Sequence, residues 1–393
     1  MAGLSSASQG AGGCLLLAVL AACSPAPSPQ QSADTGPAAS PAAAATPVPG
    51  VELPVRKVPN LPPGGEAYYA ADSLHLIANM DDPQAQRAEG SGGGGSLTYV
   101  FTDDGSVVRR INDHGQDACS YFFPDMKQIV WTSTRDNMDM PFGNWFDDAD
   151  YPRGAELYLS DPEGGNVRRL THNQWYDAEV SVSPDGKWIV FGRQTDGRMD
   201  LWRMRADGSG EQQITRTDDW QEGAPFYMPD NETIMFRAWQ RSVKNELRKQ
   251  QPQGQRRWIT PMTVFTIRQD GTGLTQRTFD RDMNWAPYPA PDGRHYVFVR
   301  VVDGNNWEVF LGDLAGDAPR RLTYSPGFDG LPSLSPDGRK MVFARQAAGF
   351  SVYVMDVSSL GLGPGNYKGI PATPVPDNAV IADMRPAAST LSE

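Results

Sequence analysis

A turn motif, Ser-Pro-Asp-Gly, recurs along this 393-residue chain inside a longer repeat. It stands as Ser183-Pro184-Asp185-Gly186 and Ser335-Pro336-Asp337-Gly338. It weakens to Ala290-Pro291-Asp292-Gly293, Phe123-Pro124-Asp125-Met126 and Met228-Pro229-Asp230-Asn231. Pro presets φ at the first central turn position, Asp tolerates the second, and Gly takes the left-handed position that follows. Each copy lies between two short apolar runs, as at 180–183 and 188–191, so it reads as a hairpin turn. A third run follows and ends in an acidic turn, as at 201–205 and 264–268. A fourth closes each unit, as at 167–171, 212–215 and 320–323.

Four antiparallel strands per unit is the content of a propeller blade. Asp185 to Asp230 and Asp292 to Asp337 are each 45 residues apart, the upper end of a blade's length. The intervals from Asp125 to Asp185 and from Asp230 to Asp292 are 60 and 62, so those units carry insertions. A degenerate first copy surrounds Asp72, which makes six. The expected fold is all-β: a six-bladed β-propeller of four-stranded antiparallel blades over residues 51–360. The last copy lacks its own fourth strand. Val55-Arg56-Lys57-Val58 stands before Asp72 much as Val167-Arg168-Arg169-Leu170 stands before Asp185. Residues near 51–58 are therefore expected to supply the outer strand of the last blade and close the ring; the alternative is a plain linker. Residues 361–393 read as a Gly/Pro-rich tail.

Three features carry a family resemblance: the run Tyr176-Asp177-Ala178-Glu179-Val180 leading into the Ser183 turn, Gly327-Phe328-Asp329-Gly330, and the Arg-Arg-Leu-Thr strands at 168–171 and 320–323. By these the chain resembles the TolB-type propeller family of bacterial envelope proteins, over roughly residues 51–360. The resemblance implies the propeller fold and a place in the periplasm. TolB itself carries an extra α/β domain before its propeller, for which this chain lacks room. A lipoprotein member, rather than TolB itself, is the expectation.

Residues 15–22 form a short apolar run ending in small residues, too short to span a bilayer and suited to a secretory signal. Leu20-Ala21-Ala22-Cys23 matches the lipobox of bacterial lipoproteins. That resemblance implies removal of residues 1–22, acylation of Cys23 and, with Ser24 following, an outer-membrane anchor. Residues 1–14 hold no Lys or Arg, which is unusual for a signal peptide. Residues 23–50 are rich in Ala, Pro and Ser and read as a disordered tether. The 3 cysteines are Cys14, Cys23 and Cys119, which leaves no disulfide framework and no thiolate metal site. A net charge of −12 argues against nucleic acid or anionic lipid as the main partner.

The repeat also serves as a ruler. Eight residues before each turn Asp stand Asp117, Asp177, Glu222, Asn284 and Asp329, with Gly64 in the first copy. These positions begin the first strand of each blade, which lines the central channel of a propeller. They are expected to form a ring at one channel mouth. Packed like charges are costly without compensation. A bound cation such as Ca²⁺ or a basic partner segment would supply it; so would backbone N–H groups within each blade. Eight residues after the turn stand Arg193, Arg300 and Arg345, with Arg237 one place short. They are expected to pair with neighbouring blades' acids or to face a groove.

Two insertions stand out. Residues 136–154 mix acids with aromatics, and Asp147, Asp148 and Asp150 are weak calcium candidates. Residues 240–258 carry Arg241, Lys244, Arg248, Lys249, Arg256 and Arg257 against Glu246, either a docking loop or a solvated excursion. Trp175, Trp220 and Trp285 stand at blade starts, suited to ligand recognition or to packing between blades. There is no His-Glu-x-x-His, Gly-x-Ser-x-Gly or phosphate loop. The expected function is a protein-binding or scaffold module of the cell envelope. The alternatives are a hydrolase or lyase acting on carbohydrate or peptide through channel-mouth carboxylates, and a calcium-stabilised structural module.

Overall fold

The computed structural model describes residues 50–85, 95–143, 150–250, 259–346 and 349–374, all within one compact unit. The protein is all-β apart from one short α-helix, α1 (Arg241–Lys249), and two single 3₁₀ turns among these residues. The first unit has strands Gly64–Tyr69, His75–Asp81, Ser96–Thr102 and Val108–Arg110. The second has Asp117–Phe122, Ile129–Ser133, Glu156–Ser160 and Arg168–Arg169. The third has Tyr176–Val182, Trp188–Thr195, Arg198–Arg205 and Gln212–Gln213. The fourth has Trp220–Tyr227, Thr233–Gln240, Thr263–Arg268 and Thr275–Gln276. The fifth has Trp285–Pro289, His295–Val302, Asn306–Asp313 and Arg320–Arg321. The sixth has Phe328–Leu334, Lys340–Gln346 and Phe350–Asp356.

Each unit is an antiparallel sheet with its strands in chain order. The fifth and sixth are joined by a single parallel bridge from Trp307 to Phe328. The first strands touch one another in cyclic order, the sixth returning to the first. The missing fourth strand of the sixth unit is Val55–Lys57, paired antiparallel with Phe350–Asp356. Residues near 51–58 thus do close the ring. Glu52 reinforces the seam: its Oε1 accepts from Arg345 Nη2 at 2.6 Å and from the Tyr324 backbone N–H at 3.2 Å.

The repeat's residues explain these elements. In all six turns the Asp carboxylate accepts the backbone N–H two residues on, from Asp72 to Leu74 through Asp337 to Arg339. The next position is left-handed in every copy: Gly in three, and Ser73, Met126 and Asn231 in the degenerate ones. The Thr that ends the fourth strand is equally specific. Thr171, Thr215, Thr278 and Thr323 accept the backbone N–H of Leu157, Leu201, Val264 and Val309 at 2.8–3.0 Å.

Successive residues of a strand face opposite sides of its sheet. Every sheet here is covered on both sides, so its strands bury both. Ile189 packs toward the second unit and Val190 toward the fourth. Tyr296 and Phe298 of the fifth unit meet Met235 and Val264 of the fourth. The core is therefore a set of interfaces between neighbouring sheets. It extends past residue 360, where a tail was expected. Leu362 is buried in it, and Thr373 Oγ1 donates to the Leu314 carbonyl at 2.6 Å while accepting from Arg277 Nη1 at 2.6 Å. Leu362 in the core and the bonds of Pro371 and Thr373 to Arg277 and Leu314 hold this segment against the sheets.

Removing residues 51–58 would strip Phe350–Asp356 of its partner strand and expose the pocket of Val58. The truncated protein is expected to lose about 3 kcal/mol or more of stability and to associate through the open edge. Calorimetry and light scattering against the full chain check this.

Candidate functional site

The five residues of the expected ring lie at the starts of their first strands, but not as free ligands. Asp177 is buried and accepts from Arg193 Nε at 2.6 Å and Nη2 at 2.8 Å, with Asn173 Nδ2 at 2.8 Å. Asp329 is held the same way by Arg345, at 2.7 Å twice. Asn284 Oδ1 accepts from Arg300 Nε and Nη2 at 3.0 and 2.9 Å. Asp117 has no Arg; it accepts from the Thr98 N–H at 2.8 Å, Thr98 Oγ1 at 2.9 Å and Asn112 Nδ2 at 2.7 Å. Glu222 accepts only from Thr217 Oγ1, at 2.6 Å.

The acid eight residues before a turn and the Arg eight after it are thus one device. Asp177 and Arg193 are register partners across the hairpin, as are Asp329 and Arg345. Arg193, Arg300 and Arg345 bond to Asp177, Asn284 and Asp329 inside their own units, whereas Arg237 pairs with an acid of the neighbouring unit, Glu179. The ring was expected to offer carboxylates at a mouth; instead each side chain is buried in its sheet, where hydrogen bonds offset, to different degrees, the loss of water. The calcium alternative gains no support: among the described residues no three His, Cys, Asp or Glu side chains are placed to hold a metal.

Glu222 is the poorly compensated one among them. Burial pushes Glu222 up to about 8, helped by the charge of Asp200, and its Oε2 has no hydrogen-bond partner. Burial likewise pushes Asp200 and Asp117 up to about 6.

A second set of inner-strand residues stands six before each turn: Glu66, Cys119, Glu179, Ala224, Ala286 and Leu331. Each first strand breaks register there, and five of the six are left-handed, with φ of 49–58°. Such a bulge re-aims a side chain. Cys119 Sγ donates to Glu66 Oε1 at 3.0 Å, and Tyr68 OH donates to the same oxygen at 3.2 Å. Glu179 accepts from Arg237 Nη2 at 2.8 Å and from the Ala224 N–H. Polar groups from the first three units therefore face small and apolar ones from the last three.

Arg237, one place short by the ruler, explains this link between units. It lies opposite Gly223 instead of Glu222, and a one-residue shift reverses the face of a strand. Its side chain crosses Gly223 to reach Glu179. A Cβ at Gly223 would lie 2.2 Å from Arg237 Nη1 and 2.1 Å from Glu179 Oε2, so only glycine leaves the passage open.

Four residues before the turns, aromatic rings fill the axis. Tyr68 of the first unit lies 5.4 Å from Phe226 of the fourth and 6.0 Å from Tyr288 of the fifth, between ring centroids. Tyr121 and Tyr288 share a hydrogen bond of 2.9 Å. The four rings form an aromatic floor across the axis, and the well is the side of it on which Glu66 lies. Glu66 stands just above that floor, half-buried and without an ion-pair partner among the described residues. Burial first, then the charge of Glu179, pushes its carboxyl up to about 7, against the hydrogen bonds from Cys119 and Tyr68. Burial also keeps the Cys119 thiol protonated. A carboxyl that titrates near neutrality in a confined space can bind a cation or exchange a proton.

The same ruler moved two residues locates Glu66, Cys119 and Glu179; the bulge breaks the period-two phase that singled out the outer ring. Of the other candidates, Trp220 is buried edge-on against Phe265 and Trp285 packs on Trp307, both as packing residues. Trp175 is half-buried. Asp150 is exposed; Asp147, Asp148, Arg256, Arg257 and Cys23 lie outside the described residues.

No protein-family model matches the chain. An uncharacterised protein of Agrobacterium fabrum is 27% identical over 214 residues, 53% of this chain and 62% of that one. A TolB homologue of Chlorobium chlorochromatii is 28% identical over 183 residues, 45% of this chain and 36% of that one. The crystal structure of TolB from Acinetobacter baumannii superposes with a TM-score of 0.52, covering 72% of this chain and 64% of that one at 18% identity. The chain is a TolB-type β-propeller. The structural likeness speaks for the fold alone. The alignments span less than two thirds of each curated relative's length. Within the TolB-type propeller the well is built from this chain's own residues.

Glu222 supplies a test of the sealed ring. Its carboxyl is raised in the folded state, so its stabilising contribution is full below about 4.5, the ordinary glutamate value, and lost as pH rises through about 8. Glu222→Gln is expected to melt near wild type at pH 4–5. At pH 9 it should be more stable than wild type by on the order of 2–4 kcal/mol. Thermal melts across that range check it.

Proposed function

We propose that this TolB-type propeller is a six-bladed, lipid-anchored protein-binding module of the bacterial envelope, seating a cationic side chain of its partner in the well. The supporting observation is Glu66. It is a carboxyl above an aromatic floor, with hydrogen-bond donors on one oxygen and no ion pair among the described residues; the charge of Arg237 reaches it, but that guanidinium is bonded to Glu179. Ala224, Ala286 and Leu331 on the facing wall suit the aliphatic stem of a lysine or arginine. The TolB relatives favour the periplasm, and Leu20-Ala21-Ala22-Cys23 favours anchoring through Cys23. A soluble form lacking residues 1–23 is the probe for partners in envelope extracts. Wild type should retain a polypeptide that Glu66→Gln does not, and retention should fall as pH drops through about 7 and Glu66 takes up a proton. Equal recovery by both proteins at every pH would overturn this reading. For the anchor, Cys23→Ser should abolish fatty-acid labelling and release the protein from the membrane fraction.

A second reading has one observation in its favour. A carboxyl near 7 beside Glu179 resembles an acid–base group acting on carbohydrate or peptide. Turnover of oligosaccharides or peptides that disappears with Glu66→Gln, while partner capture persists, would select it over the binding module.

A further inference from the structure

The helix α1 lies outside the six sheets. It follows the second strand of the fourth unit, at the end of the sheets where the first strands begin and the well opens. Nine residues are too few for a helix to hold by propensity alone, yet none of the nine is buried. What fixes it is its beginning. Asp219, in the loop before the fourth unit, accepts the Arg241 N–H on its carbonyl at 2.7 Å and the Ser242 N–H on Oδ1 at 2.9 Å. The body carries Arg241, Lys244, Arg248 and Lys249 against the single acid Glu246, which Lys249 pairs at 2.6 Å, leaving a net positive charge on the helix. That concentration of positive charge stands on a protein whose net charge is −12.

The helix is also coupled to the well. Lys244 Nζ lies 5.6 Å from the centre of the Trp239 ring, and Arg237 Cζ lies 4.5 Å from it. Arg237 in turn bonds Glu179 in the wall of the well. The rim helix and the wall thus share one buried tryptophan as their common support.

We infer that α1 is a docking rim for an acidic segment of a protein partner. Charge complementarity selects the occupant: a row of basic side chains on an otherwise acidic molecule attracts carboxylates and repels other basic chains. An anionic bilayer fits less well. The apolar part of the helix is only Val243 and Leu247, too little for insertion, and the acidic body would face the same lipid charge. The inference rests on the chain being a protein-binding module and adds a second contact with chemistry opposite to that of Glu66.

The probes are a labelled Glu-rich peptide, a Lys-rich peptide of equal length, and phosphatidylglycerol vesicles, presented to the soluble chain lacking residues 1–23. The Glu-rich peptide should bind at low salt and weaken about tenfold or more in Arg248→Glu/Lys249→Glu. The Lys-rich peptide should bind wild type and weaken in Glu66→Gln. Lys249→Glu alone, at an exposed position, should give a partial loss with an unchanged melting temperature. Three outcomes overturn the docking rim: no preference for the Glu-rich peptide over a neutral one, no effect of charge reversal, or vesicle binding that displaces the peptide. Loss of the Lys-rich peptide's dependence on Glu66 would strike the well instead and leave the rim standing.

Discussion

A ring of sheets has one seam, and this fold depends on how it is joined. Chain order lays six inner strands around an axis, but the last sheet arrives one strand short. Val55–Lys57, almost three hundred residues away in sequence, completes it by pairing with Phe350–Asp356. Everything described near the axis presupposes that join. Tyr68 can meet Phe226 and Tyr288 only if the first and last units are held side by side. Ser333 Oγ, which donates to the Ala67 carbonyl at 2.7 Å, crosses the same junction near its centre. The seam is therefore fixed at its rim by backbone pairing and by Glu52, and near the axis by a buried hydroxyl.

Within each unit the recurring problem is a buried acid, and the solutions grade from strong to weak. Asp177 and Asp329 have bidentate arginines, the geometry that best offsets the loss of water. Asp117 substitutes three neutral donors. Glu222 has one, because its arginine was displaced by a single residue along the strand. That displacement weakens a sheet-internal lock and creates the bridge from Arg237 to Glu179. One register step thus separates a residue that stabilises its own unit from one that shapes the well.

Much of the fold was legible because the repeat prints the same short-range chemistry many times. The Asp turn, the strand-ending Thr and the apolar alternation each act over a few residues, so sequence spacing suffices to find them. The closing strand was legible for the same reason: it resembles other fourth strands. The site was harder. Asp177 and Arg193 could be picked out by counting, but whether they point at solvent or at each other depends on a bulge between them and the axis, which no residue type announces. The packing of Leu362 was hidden too, since its slot is assembled from residues far apart in the chain.

The aromatic floor has a consequence for kinetics. Tyr68, Tyr121, Phe226 and Tyr288 pack against one another across the axis and leave no passage between them, so a ligand of Glu66 must leave on the side from which it came. Two visitors cannot pass each other there. A second ligand can act only after the first departs, and exchange between partners at this site must run through an empty state whose lifetime is set by dissociation and not by competition from behind.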